Sequence, residues 1–181
     1  HNLGLIVAAI AIGAVAGALG ARRVAMTDMP QMVAILNGCG GGSAALISTA
    51  EFLHLSHAKA GVDTMFGCII GSISFSGSVV AFAKLQGLVS EKAIRSPLQK
   101  AVNFVLFLGL LGLVGMLAFS GGGAPAFYAL LAVSLVFGVL TVTPIGGADM
   151  PVVISLLNSF TGLAVAATGF VLHNNALIIS G

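Results

Sequence analysis

The sequence predicts an all-α integral membrane protein, a bundle of about six transmembrane helices carrying a parallel internal repeat. Three observations carry that prediction. First, 58% of the 181 residues are hydrophobic and only 7% are charged. Soluble domains carry about 25% charged residues, because their surfaces must face water. Second, apolar stretches recur at the length of about 20 residues that a helix needs to cross a bilayer. Third, TDMPQMVAILNG at 27–38 returns as ADMPVVISLLNS at 148–159.

The first span covers 3–21. It is longer than a signal-peptide core, and its arginines, Arg22 and Arg23, follow it, so it reads as a permanent span. The second, 29–52, contains GCGGGSAA, superficially a phosphate loop. That run lies deep in an apolar span with no strand before it, which excludes nucleotide binding there. The third span, 62–83, has Asp63 in its first turn and four serines in GSISFSGS. The fourth and fifth, 101–119 and 125–143, are joined by the turn GGGAP. The sixth covers 150–172, and the apolar residues 176–181 begin a further helix. In lipid every backbone polar group needs an internal partner, so these spans are helices. They are too long, and alternate too little, to be barrel strands. Glycines at 13 and 17, 67 and 71, and 109, 112 and 115 are expected to let helix backbones approach closely.

The connections fall on two sides. One holds Arg22, Arg23, Lys84, Lys92, Arg95, Lys100 and the turn 145–149; the other holds Lys59. Basic loops stay in the cytoplasm, so the first side is expected there, with the N-terminus outside. A seventh helix would return the chain to the cytoplasm. The opening His-Asn and the end after ALIISG read as a piece of a longer polypeptide. A net charge of +2 without a basic stripe excludes nucleic acid as a partner and leaves the lipid bilayer. Cys39 and Cys68 fall in apolar spans and do not read as a metal pair. His54, His57 and His173 lie on the outer side and read as solvated interface residues. No nucleophile has a base beside it, so nothing points to covalent chemistry.

The repeat carries the candidate chemistry. Asp28 aligns with Asp149, Pro30 with Pro151, Leu36 with Leu157, Asn37 with Asn158 and Gly41 with Gly162, at an offset of 121 residues. The offset covers four helices, an even number of crossings, so both copies run in the same direction, as in parallel-repeat transporters. Each Asp is expected to cap its helix and meet the positive end of the helix dipole. Each Pro sits in the first turn, where its missing N–H costs nothing. Each Asn follows its Asp by nine residues, about 13.5 Å along a helix. Half of a hydrocarbon core is about 15 Å, which puts both carboxamides near mid-membrane. A carboxamide there needs a partner. It either bonds a neighbouring helix or lines a polar path for water and protons. Ser74 and Ser78 lie one turn apart and are candidates for the same path. Alternatively, such hydroxyls bond back to the carbonyl four residues earlier.

Three stretches carry a family resemblance. IGGADMPVVISLLNSFTG (145–162), which is highly specific, with RVAMTDMPQMVAIL (23–36) and FSGSVVAFAKLQG (75–87), resembles the beta subunit of proton-translocating NAD(P) transhydrogenase. The resemblance covers nearly the whole chain. It implies part of a membrane domain that conducts protons, coupled to hydride transfer between NAD(H) and NADP(H) bound in soluble domains. No cofactor is expected in this segment. The resemblance implies Asp149 as the group that couples to the NADP(H) domain and Asn158 as a proton-path residue, with Asp28 and Asn37 as their repeat counterparts. It further implies an alpha subunit that binds NAD(H) and adds membrane helices, a C-terminal NADP(H)-binding domain, and a homodimer of the whole enzyme. The expected location is the bacterial inner membrane, or alternatively the mitochondrial one. Two other readings compete. An unrelated ion-coupled secondary transporter would bind a solute at the midplane. A plain membrane anchor would use both Asn only to join helices.

Overall fold

A computed structural model describes residues 2–54, 61–93, 97–120 and 123–181. His57, Lys59, Arg95, Gly121 and Gly122 lie outside the described residues. The described chain is helical. The long elements are α1 (Leu3–Arg23), α2 (Met29–His54), α3 (Val62–Leu85), α4 (Gln99–Gly115), α5 (Gly123–Val142) and α6 (Met150–Val171). A π turn, Met116–Ser120, extends α4, and a short α7 (Asn175–Ser180) follows α6. Among the described residues six helices are long and apolar enough to cross a membrane, and the protein is a membrane protein. Their bounds fall within a few residues of the apolar spans, because burial of the backbone in lipid leaves the helix no competitor.

α3 is the hub and packs against α2, α5 and α6. Its crossing with α2 is backbone on backbone. A Cβ added at Gly71 would stand 2.6 Å from the Gly41 carbonyl oxygen, and one at Gly41 would stand 2.9 Å from that of Gly71. The glycine-rich run after Asn37 is thus continuous helix, thinned for close contact. Gly138 does the same for α5, where a Cβ would come within 2.6 Å of the Ile73 oxygen. The other glycine series behaves differently. Around Gly13, Gly17, Gly109, Gly112 and Gly115 there is open space. The close approach expected of them is not made within this segment, since α1 buries none of its residues and α4 only Leu110.

Two apolar clusters hold the bundle. One gathers Phe52, Met65, Leu117, Phe127 and Leu130, with Phe52 and Phe127 stacked at 4.1 Å between ring centroids. The other gathers Ala34, Ala81, Val142, Met150, Val153, Ile154 and Leu157 at the end that carries Asp149. α7 folds back on α6, capped by Asn174, whose side chain accepts from the Ala176 and Leu177 amides at 3.0 and 3.4 Å. Close contact is possible because Gly169 lacks a Cβ; one there would lie 2.6 Å from the Ile178 amide nitrogen.

Candidate functional site

The repeat reproduces a local structure as well as a motif. Both copies enter their helix through a single 3-10 turn, Met26–Asp28 before α2 and Gly147–Asp149 before α6. In each turn the Asp amide donates to the carbonyl three residues back, Asp28 to Ala25 at 2.9 Å and Asp149 to Gly146 at 3.1 Å. This corrects the capping expectation. The Asp has already turned into the helical conformation, whereas a capping side chain needs an extended backbone. Neither carboxylate takes a helix N–H; among the described residues Asp28 accepts only from the Thr27 hydroxyl, at 3.4 Å. Both acids are exposed and free to meet something outside this segment.

Deeper in, the structure brings Asn37, Ser74 and Ser78 together. Asn37 is buried on the face of α2 that Gly38 and Gly41 press against α3. Its Nδ2 donates to Ser78 Oγ at 2.9 Å and to Ser74 Oγ at 3.3 Å. Its Oδ1 is buried and has no partner among the described residues. Ser76, on another face, bonds back to the Ser72 carbonyl at 2.9 Å, the alternative fate expected for such hydroxyls.

Ser74 then reaches α6. Its Oγ donates to the Leu157 carbonyl at 2.9 Å and touches the hydroxyl of Thr161, which bonds the same carbonyl at 3.1 Å. Either hydroxyl can be the donor of their pair. Asn158 is not in this cluster. It is exposed and lines a cavity of about 620 Å³ together with Ser159, Thr161 and Gly162. Thr161 is therefore the link, since it belongs both to the cavity and to the buried cluster. A polar line runs from Asn37 through Ser74 and Thr161 to the space where Asn158 lies.

Two residues that matter here were not singled out in the sequence. Thr161 sits three residues after Asn158, on the neighbouring helical row, and that spacing was the available signal. Lys84 was counted only as a loop charge. It is fully buried, and its Nζ donates to the carbonyls of Thr143 at 2.5 Å and Ile145 at 2.7 Å. Its signal was a lysine written into the apolar run AFAKLQ. Asp63 begins α3 but does not cap it. Gly61 takes that position, and Asp63 accepts from the Thr64 amide at 2.9 Å.

In chemical terms the cluster offers hydroxyls, which both donate and accept, and a carboxamide oxygen still open to a donor. Carboxamides do not titrate in the ordinary range, so they orient a proton carrier and do not become one.

Comparison with known proteins identifies a family. A family model described as NAD(P) transhydrogenase beta subunit matches residues 1–181. Two similar relatives, both NAD(P) transhydrogenase subunit beta of Rhodospirillum rubrum, are 43% identical over 186 residues, covering 97% of this chain. The chain spans about 40% of the length of these relatives.

Proposed function

The chain belongs to the NAD(P) transhydrogenase beta subunit family, and from that premise we propose that it forms the proton-conducting membrane domain of a proton-translocating transhydrogenase. Hydride passes between NAD(H) and NADP(H) in soluble domains outside this segment. An alpha subunit supplies NAD(H) binding and further helices, and a C-terminal domain of the same chain holds NADP(H). The whole enzyme is a homodimer in the bacterial inner membrane, with the basic loops in the cytoplasm.

The observation that carries the reading is the polar line from the open oxygen of Asn37, through Ser74 and Thr161, to the cavity beside Asn158. Water held by Asn158 in the cavity passes a proton towards the Thr161 and Ser74 hydroxyls. Each hydroxyl takes one proton as it releases another, Thr161 to Ser74 and Ser74 to water held at Asn37 Oδ1, so neither changes charge. Asn37 fixes Ser74 and Ser78 by donation and presents Oδ1 to water on the inner side of the line. Asp149, exposed at the mouth of α6, meets the NADP(H) domain, and Asp28 plays the corresponding part at α2. The redox state of the nucleotide biases which arrangement of the turn is populated, and with it the side to which the line opens.

Asn158→Leu tests this in the complete enzyme. Proton pumping driven by hydride transfer should disappear, while hydride exchange that moves no net proton persists. Normal pumping by the variant refutes the assignment.

A further inference from the structure

Lys84 is the penultimate residue of α3 and the one lysine with no solvent exposure among the described residues. A buried ammonium needs compensation. Here it comes from two carbonyls, Thr143 and Ile145, just past the C-terminus of α5, where the helix dipole favours a cation. These carbonyls start the turn that carries Asp149. A second tie holds the same turn: the Gly147 amide donates to the Glu91 carbonyl at 2.9 Å, from the loop after α3.

The same face of α3 continues upward. Ala81 packs with Val142 and Met150, and a Cβ at Gly77 would stand 3.1 Å from Leu157 and Val142. Ser74 continues that stripe and Ser78 lies beside it, and together they hold Asn37. One helix thus grips the Asp149 turn at its end and the polar cluster at its middle.

We propose that Lys84 is a positioning residue: its ammonium clamps the 143–149 turn to α3, so that a displacement of Asp149 is transmitted to the Asn37–Ser74–Thr161 contacts. A charged clamp suits this task better than apolar packing. Letting go of the carbonyls would leave a buried ammonium unpaired, so the turn holds discrete positions and does not drift. The inference rests on the proton-conducting reading above.

The test uses the complete enzyme in proteoliposomes, with Lys84→Met, Lys84→Arg and Asn158→Leu side by side. Methionine keeps the apolar stem and removes the charge. Lys84→Met is expected to lower proton-coupled turnover by about tenfold. It should leave uncoupled hydride exchange near that of the parent and speed hydrogen exchange at the Gly147 amide. Lys84→Arg should recover much of the coupling. Lys84→Met that pumps normally beside an uncoupled Asn158→Leu overturns the clamp alone. Asn158→Leu that pumps normally overturns the underlying reading instead. If both Lys84 variants accumulate poorly and lose coupled and uncoupled rates together, the residue serves folding only and the positioning role is wrong.

Discussion

In α2 the pair Leu36–Asn37 turns its asparagine inward, Leu36 being 55% exposed and Asn37 5%. In α6 the same pair, Leu157–Asn158, turns its leucine inward, Leu157 being 3% exposed and Asn158 open. Both copies have the same helix start and run the same direction. They differ in rotation about the helix axis. The cause lies on the asparagine face. In α2 the residues along it are Gly38, Gly41, Gly42, Ala44 and Ala45, thin enough for contact with the α3 backbone. Their counterparts in α6 are Ser159, Gly162, Leu163, Val165 and Ala166; there the close backbone contact, at Gly162 and Ala166, is with Gly181 at the end of α7 and not with α3. α6 packs instead through Val153, Ile154 and Leu157 against α3 and α5. A repeated motif therefore sets depth and direction, while the element packed on its asparagine face, α3 in one copy and α7 in the other, sets what each polar group meets.

That contrast can be broken by making equal substitutions in both copies. The largest expected effect is Gly41→Ala, whose new methyl would meet the Gly71 oxygen and the Phe75 amide; about 1–3 kcal/mol or more of stability should be lost. Gly162→Ala meets the Gly181 carbonyl at 3.0 Å and should cost clearly less in a thermal melt in detergent. Asn37→Leu comes next, at about 1–3 kcal/mol, because it takes the donor from the buried Ser78 hydroxyl and one of the partners of Ser74. Thr161→Val should cost about 0.5–1.5 kcal/mol and slow proton coupling, since it cuts the contact between Ser74 and the cavity. The smallest stability effect belongs to Asn158→Leu, within about 0.5 kcal/mol of the parent, although this variant should lose coupling. Equal losses from Asn37→Leu and Asn158→Leu would erase the distinction between a buried and an open copy.

Much of this was legible in the letters. Span limits follow from hydropathy, because a bilayer imposes one length on every crossing. The grouping of Asn37 with Ser74 and Ser78 could be anticipated, since all three are polar groups at mid-depth in adjacent helices. Rotation could not, because it depends on which helices pack together, and no single span contains that information. The two acids misled for a local reason. Asp before Met-Pro has the letters of a cap, yet a 3-10 turn had already begun two residues earlier. Lys84 was hidden by convention, since a lysine at a helix end usually reaches water. Only the two carbonyls beneath it reveal a buried charge.

The contact between Gly41 and Gly71 has an evolutionary corollary. When two side chains collide, a second mutation can shrink one to admit the other. Here the obstacle to a methyl on either helix is the main chain of its neighbour, which no codon can alter. Neither site can be rescued by a change at the other, so both are fixed points around which the exchangeable hydroxyls nearby are free to vary.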